Sequence, residues 1–356
     1  MPRSYDTAVP PVGALLRRYD NPGEPLSCEP VSQGLLNRGY RLATTRGAYF
    51  LKHHLDDDPE IIIRQHRATQ RLEPLGVPVA PPVADARGDT VAVIGGHCYA
   101  LHPWVNGRHR DGAHLSTVEC RRLGALLGLV HTRLEEVMNH PPGRSARSGR
   151  QLPAQEPEEE AGGRDAYKSA DPQETFSLID ELLSLIRSAG GPRDSFDVLA
   201  EHRLVERRTL LELHADLRPP PAPAGGWVHG DFHPLNLLYR DAEPAAIVDW
   251  DRLGVQPRAE EAVRAAAIFF VRPEGALELT KVRAYARAYR RAVGADTSEL
   301  AAAVHRVWWE RLNDFWILRW RYQRHDRRAD PQFAAVSALA VWWTREYEAV
   351  REAFAN

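Results

Sequence analysis

Cysteine is scarce in this chain of 356 residues. The three cysteines, Cys28, Cys98 and Cys120, lie far apart and show no metal-ligand spacing. A disulfide-rich secreted domain or a cysteine-based metal site would need more cysteines or a regular spacing between them. We therefore predict a reduced chain in the cytoplasm.

Long apolar runs and a large net charge are also missing. No window of the sequence approaches the roughly 18 apolar residues of a membrane span, and the first twenty residues lack the apolar core of a signal peptide. The formal net charge is only −2, which gives no basic excess for nucleic acid. With 43% apolar residues, the chain can form a globular protein of two lobes, and we expect neither a membrane nor a nucleic-acid partner.

Residues 227–251 carry the strongest motif, which reads WVHGDFHPLNLLYRDAEPAAIVDWD. Asp231 and Asn236 form the pattern D-x-x-x-x-N, and an apolar run then leads into Asp249. Two short strands around a polar turn predict a hairpin that brings Asn236 near Asp249. An amide oxygen beside a carboxylate suits Mg²⁺ with bound phosphates. Asp231, on the loop before the hairpin, can accept a hydroxyl proton.

The wording HGDFHPLN followed by IVDWD resembles the aminoglycoside phosphotransferase and choline kinase-like family, small-molecule kinases with a protein-kinase-like fold. The resemblance implies an α+β fold, with a small N-terminal antiparallel sheet lobe (residues 1–105) and a larger, mostly helical C-terminal lobe (residues 106–356). It implies ATP and Mg²⁺ as cofactors, with Asp231 as the catalytic residue and Asn236 and Asp249 as metal ligands.

Three strands are predicted near the N-terminus, and they open an antiparallel sheet. Lys52 lies on the third strand, where it could reach the α- and β-phosphates of a nucleotide; the alternative is an edge-strand lysine that faces water. The turn from Gly34 to Gly39 is neither a Walker A loop nor G-x-G-x-x-G. It resembles the degenerate phosphate-covering hairpin of the family, in which Asn37 follows the glycine, although an ordinary hairpin turn explains it as well.

Residues 59–75 have helical periodicity, and residues 77–84 and 90–93 are predicted strands. In the kinase plan, the helix carries a Glu that pairs with the strand lysine. The alignment puts Gln65 in that place, and Gln can donate a hydrogen bond to a partner but cannot neutralise Lys52. Glu60, on the first turn, is a possible substitute. Residues 99–107 resemble the hinge of the family.

Residues 141–172 differ in composition from the rest of the chain. They are rich in Pro, Gly, Ser and charge, with hardly any aliphatic residues. Such a segment cannot bury enough apolar surface to offset the entropy of ordering. We therefore predict a mobile insertion within the second lobe.

The remainder of the chain is predicted to be mostly helical. A helix begins at Ser116, an N-cap residue with Glu119 three positions later, and we interpret His131 as a helix-end histidine. Near the start of a helix after the motif, Glu261 is our candidate for bracing the catalytic loop. Among the aromatic C-terminal helices, the acidic residues Glu310, Asp314 and Asp326 suit an amine-bearing acceptor.

We therefore predict an ATP- and Mg²⁺-dependent phosphotransferase that acts on a hydroxyl of a small molecule, such as an aminoglycoside or amino sugar. A choline-like alcohol and homoserine are alternative acceptors. Gln65 in place of Glu leaves a nucleotide-binding pseudokinase open. A metal-dependent hydrolase is the third alternative, and its ligands would be His229, Asp231, His233 and Asp249. In the kinase interpretation, both histidines shape the loop and Asp251 is a further acid near the metal.

Overall fold

The computed structural model describes residues 10–31, 37–55, 58–139, 167–188, 192–223 and 225–356. Gly34 and residues 141–166 of the predicted insertion lie outside this part of the chain. The chain divides into two compact units, of which the first is Met1–His109 with Leu235–Asp251 and the second is Arg110–Pro234 with Arg252–Asn356. The predicted lobe boundary between residues 105 and 106 stays a prediction.

The first unit contains a five-stranded antiparallel sheet with the order β1-β2-β3-β5-β4. Its strands are β1 (Pro25–Val31), β2 (Arg38–Thr44), β3 (Gly47–His54), β4 (Ala92–Ile94) and β5 (His97–Pro103). Lys52 on β3 is opposite Gly39 on β2 and Ala100 on β5. Because β3 is central and Lys52 is only 8% exposed, the alternative of an edge-strand lysine facing water is wrong.

Two helices accompany the sheet, α1 (Val12–Leu16) and α2 (Pro59–Leu72). Helix α2 begins where the sequence predicts. The side chain of Asp58 accepts a hydrogen bond from the Glu60 backbone N–H, and Pro59 occupies the first turn. One tighter turn, Glu73–Leu75, follows the helix, and Gly76 ends it at φ 81°. The helix is amphipathic, and Gln65 lies on its buried side.

The predicted strand over residues 77–84 is wrong. Val79 makes only an isolated bridge to Ile247, and the Val83 backbone N–H donates to the Leu101 carbonyl at 2.7 Å. Prolines at positions 78, 81 and 82 explain this, because each lacks the N–H that a strand would need. The segment therefore forms no strand of the sheet.

Four further strands are β6 (Gly226–Val228), β7 (Leu237–Arg240), β8 (Glu243–Ile247) and β9 (Gly254–Gln256). Strands β7 and β8 form the predicted hairpin, with Leu237 opposite Ile247. Asp241 in its turn has φ 55°, a left-handed conformation that Asp tolerates. Strand β6 precedes the hairpin in sequence and β9 follows it, and these two strands pair with each other in the second unit.

The second unit is mostly helical. Its helices are α3 (Thr117–Asn139), α4 (Pro172–Ser188), α5 (Ser195–Leu213), α6 (Arg258–Phe269), α7 (Leu279–Val293), α8 (Thr297–Asn313), α9 (Trp316–Gln323), α10 (Phe333–Arg345) and α11 (Tyr347–Ala355). The predicted α+β architecture, an antiparallel sheet followed by a mostly helical part, is confirmed. Among the residues described, no helix is both long and apolar enough to cross a membrane.

Helix α3 shows how the sequence sets up the core of this unit. At its start, the Ser116 backbone N–H donates to Glu119 at 2.8 Å, and the Glu119 backbone N–H donates to the Ser116 hydroxyl at 3.3 Å. This reciprocal pair is the predicted capping box. Further along, Gly124 lies so close to α7 that an added Cβ would be 2.1 Å from the Tyr285 carbonyl oxygen. The glycine therefore lets two buried helices approach closely.

Candidate active site

Lys52 is buried and lies at the centre of a partly buried charge cluster in the first unit. Its ammonium nitrogen is 2.8 Å from Asp249 Oδ1 and 2.5 Å from Asp251 Oδ1. Burial alone would lower the pKa of Lys52, but the two carboxylates outweigh burial and raise it. The lysine therefore stays charged, and both of its partners come from the motif at the end of β8.

The predicted partner of Lys52 on α2 has a different contact. Gln65 donates from Nε2 to the backbone carbonyl of Asp251 at 2.9 Å, and Glu60 is exposed. Among the described residues, the carboxylate partners of Lys52 are Asp249 and Asp251. Gln65 therefore positions Asp251 and does not contact the lysine directly.

Asn37 holds the other side of Asp251. Its Nδ2 donates to Asp251 Oδ2 at 2.5 Å, and its Oδ1 accepts from the Leu55 backbone N–H at 3.0 Å. Burial and the neighbouring Asp249 raise the pKa of Asp251 to about 6, although Lys52 opposes them. The predicted role of Asn37 at the phosphates stays a prediction, and the contact with Asp251 was not foreseen.

The hairpin brings the two predicted metal ligands to one end of it. The Val248 backbone N–H donates to the Asn236 carbonyl at 2.9 Å, so the residue before β7 is adjacent to the chain that leads into Asp249. Asp249 has φ 60° and a side chain that is 44% exposed. A left-handed backbone at a non-glycine residue often marks a functional position. An amide oxygen and a carboxylate oxygen fit Mg²⁺, which completes its shell with phosphate and water.

The loop that carries Asp231 lies in the second unit. Gly230 directly precedes it with φ 85°, and an added Cβ would be 2.1 Å from the Arg252 carbonyl oxygen, so glycine is required there. Asp231 Oδ2 is 3.5 Å from His233 Nε2 and 3.9 Å from Arg252 Nε. Burial opposes ionisation of Asp231, but His233 and Arg252 outweigh burial and lower its pKa. The carboxylate is therefore ionised, and 34% of the side chain is exposed.

Glu261 at the start of α6 contacts the backbone of this loop. Its carboxylate accepts from the His229 backbone N–H at 3.2 Å and from the Gly230 backbone N–H. His131 Nε2 is 2.7 Å from Glu261 Oε2, and its Nδ1 is 3.0 Å from the Tyr289 hydroxyl. Burial opposes ionisation of Glu261, but these hydrogen bonds outweigh it and lower the pKa. These contacts join Glu261 to the loop, and the bracing role that the sequence suggests for it stays a prediction.

The role of His131 was missed, and the interpretation of it as a helix-end histidine is wrong, because α3 continues to Asn139. It is fully buried in α3 and connects α3 to Glu261 and to Tyr289 on α7. The available signal was a lone imidazole at the end of the apolar stretch at residues 123–130 within α3. Such a group needs polar partners, and only the tertiary structure says which ones.

The three acidic residues predicted for the acceptor pocket, Glu310, Asp314 and Asp326, do not all line the same cavity. Glu310 and Asp314 line a cavity of about 430 Å³ in the second unit. Asp326 is not among the lining residues and forms an ion pair with Arg328 at 2.7 Å instead. Its short-range partner, two positions along the chain, explains the difference.

The ligand set of the hydrolase alternative is not assembled. Across the described ranges, no group of three or more His, Cys, Asp or Glu side chains is arranged to hold a metal ion. His229 is fully buried, and its Nδ1 is 3.2 Å from the Asp231 backbone nitrogen. This histidine therefore shapes the loop, as the kinase interpretation expects.

Comparisons with known proteins point in one direction. A family model described as "Phosphotransferase enzyme family" matches residues 27–295. A homoserine kinase from Nitrobacter winogradskyi is 24% identical over 307 residues, which cover 83% of this chain and 79% of the relative.

Two solved structures are similar over nearly the whole chain. A spectinomycin phosphotransferase in complex with ADP and spectinomycin gives a TM-score of 0.62 at 14% identity, covering 93% of this chain and 96% of that one. A microcompartment-associated aminopropanol kinase gives a TM-score of 0.58 at 15% identity, covering 96% of this chain and 97% of that one. At such low identity, the likeness shows a shared fold.

Proposed function

Since the chain belongs to the phosphotransferase enzyme family, we propose that it transfers the γ-phosphoryl group of ATP to a hydroxyl of a small, amine-bearing molecule. The observation that carries this proposal is the partly buried cluster of Lys52 with Asp249 and Asp251. A charged lysine beside a carboxylate that ends a strand is the arrangement that phosphoryl transfer uses to hold phosphates and metal.

Lys52 holds the α- and β-phosphates of ATP in this proposal. Asn236 and Asp249 would hold Mg²⁺, and the fit of their oxygen donors supports the assignment. Bound there, Mg²⁺ would neutralise charge on the phosphoryl group in flight. If Asp249 bound the metal, Asp251 would still hold Lys52 in place. Asn37 contacts the carboxylate of Asp251, and Gln65 contacts the backbone carbonyl of Asp251.

Asp231 orients the acceptor hydroxyl and accepts its proton. The hydroxyl oxygen forms the bond to phosphorus, the bond between phosphorus and the β-γ bridging oxygen breaks, and ADP leaves with that oxygen. A lowered pKa keeps Asp231 ready to accept a proton at neutral pH. The two hydrogen bonds from the loop backbone to Glu261 support its role, since they fix the loop before substrate arrives.

The amine on the acceptor is supported by the similar proteins. The curated relative is named a homoserine kinase, and one solved structure is named an aminopropanol kinase. Homoserine and aminopropanol both combine a hydroxyl with an amine. Glu260, Glu310 and Asp314 line the cavity in the second unit, and Glu260, whose Oε1 has no hydrogen-bond partner among the described residues, is suitable for a cationic group.

We place the enzyme in the cytoplasm. Cys28, Cys98 and Cys120 are all free thiols, and unpaired cysteines are typical of reducing compartments. The cosubstrate ATP is also a cytoplasmic metabolite.

The test is ADP release from Mg-ATP with a panel of homoserine, aminopropanol, choline and aminoglycosides. We expect acceptor-dependent ADP from one class and a fall of about 10²–10⁴-fold in kcat for Asp231→Asn. Asp241→Asn is the matched control, because Asp241 is exposed in the hairpin turn and Asn tolerates its left-handed backbone. An Asp231→Asn variant with the full rate would contradict the assignment of the base.

ATP binding without acceptor-dependent ADP for any compound would favour the pseudokinase alternative. Gln65 in place of Glu motivates that alternative, and Asp251 as the lysine partner argues against it. Calorimetric titration with a nonhydrolysable ATP analogue and Mg²⁺ distinguishes a binding-competent protein from one that binds no nucleotide. Loss of nucleotide binding in Lys52→Ala would support the lysine assignment.

A further inference from the structure

A cavity of about 430 Å³ lies in the second unit beside α6 and α8. The segment at residues 167–170 forms a further wall and is fixed in place, because Trp309 Nε1 donates to the Ala170 carbonyl at 3.0 Å. Tyr167 also pairs with Ala222 through two backbone hydrogen bonds. A volume of this size suits a small molecule.

Helices α6 and α8 face each other through two acid–base pairs. Glu260 and Arg264 are four residues apart on α6, and Arg306 and Glu310 are four residues apart on α8, so each couple lies on one side of its helix. Arg264 and Glu310 form a complete pair, with Nε 3.0 Å from Oε1 and Nη2 2.8 Å from Oε2. This bidentate contact leaves neither side chain in need of a ligand.

The second pair is open. Glu260 is 3% exposed, and its Oε1 is buried with no hydrogen-bond partner among the described residues. Arg306 Nε approaches that oxygen to 3.4 Å, an ion pair without hydrogen-bond geometry. Burial raises the pKa of Glu260 to about 7, although Arg306 and Arg264 oppose it. Both Glu260 and Arg306 line the cavity.

An unsatisfied buried carboxylate is costly unless a ligand completes it. A cationic ligand bound to Glu260 would break the ion pair between Glu260 and Arg306. The guanidinium of Arg306 would then have no counter-charge. Removing one partner of a buried ion pair is strongly unfavourable. A ligand that brings both charges avoids this penalty, because each protein charge then exchanges one partner for another.

We infer that this cavity binds the zwitterionic end of a hydroxy amino acid, with its ammonium group on Glu260 and its carboxylate on Arg306. The inference rests on the proposed function and narrows its acceptor from amine-bearing molecules to those that also carry a carboxylate. Lys168, Ser169 and Asn313 add further polar groups to the wall.

Helix α6 connects this cavity to the loop of Asp231. Glu260 faces the cavity, and the next residue, Glu261, holds the backbone of His229 and Gly230. An acceptor anchored on Glu260 is thus bound to the same helix turn that fixes the catalytic loop. Anchoring and loop position are thereby set by one rigid element.

Three test acceptors of similar length distinguish the contribution of the ammonium group from that of the carboxylate. Homoserine carries both, 3-aminopropan-1-ol carries only the ammonium, and 4-hydroxybutanoate carries only the carboxylate. KM and kcat are measured from ADP release at saturating Mg-ATP for the wild type, Glu260→Gln and Arg306→Gln. Glu299→Gln is the matched control, because Glu299 is exposed on α8.

We expect homoserine to have the lowest KM with the wild type. Glu260→Gln should raise the KM of homoserine and aminopropanol at least tenfold and leave that of 4-hydroxybutanoate unchanged. Arg306→Gln should raise the KM of homoserine and 4-hydroxybutanoate and leave that of aminopropanol unchanged. The KM for ATP and all values for Glu299→Gln should match the wild type. Equal effects of both variants on all three acceptors would overturn the inference.

Calorimetric binding of homoserine without ATP separates this inference from the proposed function. Binding that Glu260→Gln and Arg306→Gln each weaken at least tenfold supports the cavity even if no acceptor is phosphorylated. Turnover of an acceptor whose KM neither variant changes overturns the cavity while the proposed function stands. Glu260→Asp, which keeps the charge, replaces Glu260→Gln if thermal unfolding shows that the Gln variant does not fold, and Glu260→Asp should retain the preference for homoserine over 4-hydroxybutanoate.

Discussion

Glu260 and Glu261 are neighbours on α6 and almost equally buried, yet their surroundings differ. Glu261 accepts hydrogen bonds from two backbone N–H groups and contacts His131, and its pKa is lowered in spite of burial. Among the described residues, the partner of Glu260 is Arg306, in a loose ion pair, and burial raises the pKa of Glu260 to about 7. The comparison teaches that the number of donors around a buried carboxylate, more than its burial, decides its charge.

Removing the charge of Glu261 should have the largest effect. In Glu261→Gln, only the amide oxygen can accept a hydrogen bond. The NH₂ group then faces a donor, either a backbone N–H of the loop or His131, and cannot bond to it. We expect a loss of about 3–5 kcal/mol in the free energy of unfolding and a lower kcat, because the Asp231 loop loses its brace. Urea unfolding and ADP release measure the two effects.

The neighbouring Glu260→Gln is the control for Glu261→Gln, since it changes the same chemistry one residue away. If both variants lost the same stability, the contrast between the two carboxylates would be wrong.

Glu260 loses its proton as the pH rises, and the buried charge that results should lower the free energy of unfolding. Its pKa is raised from 4.5 to about 7, so the folded protein binds this proton more tightly than the unfolded chain. The contribution is therefore favourable at low pH and is lost between about pH 4.5 and 7, at about 2–3 kcal/mol. Arg264, Arg306 and Glu310 are the charged groups that face Glu260.

Glu260→Gln removes that proton and should flatten this part of the pH dependence. We expect the variant to be more stable than the wild type at pH 8 and similar to it at pH 5, measured by urea unfolding at each pH. If the free energy of unfolding of the variant changed with pH between 5 and 8 as it does in the wild type, the assignment of this pH dependence to Glu260 would be wrong.

Asp251 is an intermediate case, with a raised pKa and yet with hydrogen bonds from Lys52 and Asn37. In Asp251→Asn, Lys52 keeps only Asp249, which we assign to the metal. We expect the KM for ATP to rise about tenfold, equivalent to about 1.4 kcal/mol, with a smaller change in stability. Steady-state kinetics with varied Mg-ATP measures it.

Gln65→Glu in the Asp251→Asn background offers a rescue. A carboxylate on α2 should restore part of the affinity for ATP if Asp251 serves as the partner that the helix lacks. An Asp251→Asn enzyme with an unchanged KM for ATP would show that Asp249 alone positions the lysine.

The smallest effect should come from Tyr289, which contacts the far side of His131. Tyr289→Phe removes one hydrogen bond from the ring and leaves the contact of His131 with Glu261. We expect a loss of about 1 kcal/mol in the free energy of unfolding and an unchanged kcat. A loss as large as that of Glu261→Gln would mean that Tyr289 controls the brace.

Local patterns in the sequence predicted the local structure well. The hairpin of β7 and β8, the capping box of α3 and Lys52 on a strand all follow from nearby residues and turn chemistry. The strand at residues 77–84 failed because three prolines outweighed an apolar run.

Contacts between distant parts of the chain could not be predicted in the same way. His131 and Glu261 are 130 positions apart, and Lys52 and Asp251 are 199 positions apart. Such partners are chosen by packing, on which short-range periodicity carries no information. The open pair of Glu260 and Arg306 is of the same kind, since nothing in either helix alone shows that one of two acid–base pairs stays incomplete.

The adjacency of Glu260 and Glu261 also matters for how this enzyme can diversify. The residue proposed to brace the catalytic loop and the residue proposed to anchor the acceptor occupy consecutive codons, but their nearest polar partners differ: Glu261 contacts the loop backbone and His131, and Glu260 contacts Arg306. A substitution at position 260 can therefore change which acceptor charge is preferred while the chemistry at Asp231 is inherited intact. In this proposal, a residue that sets acceptor specificity lies one codon away from the residue that holds the Asp231 loop.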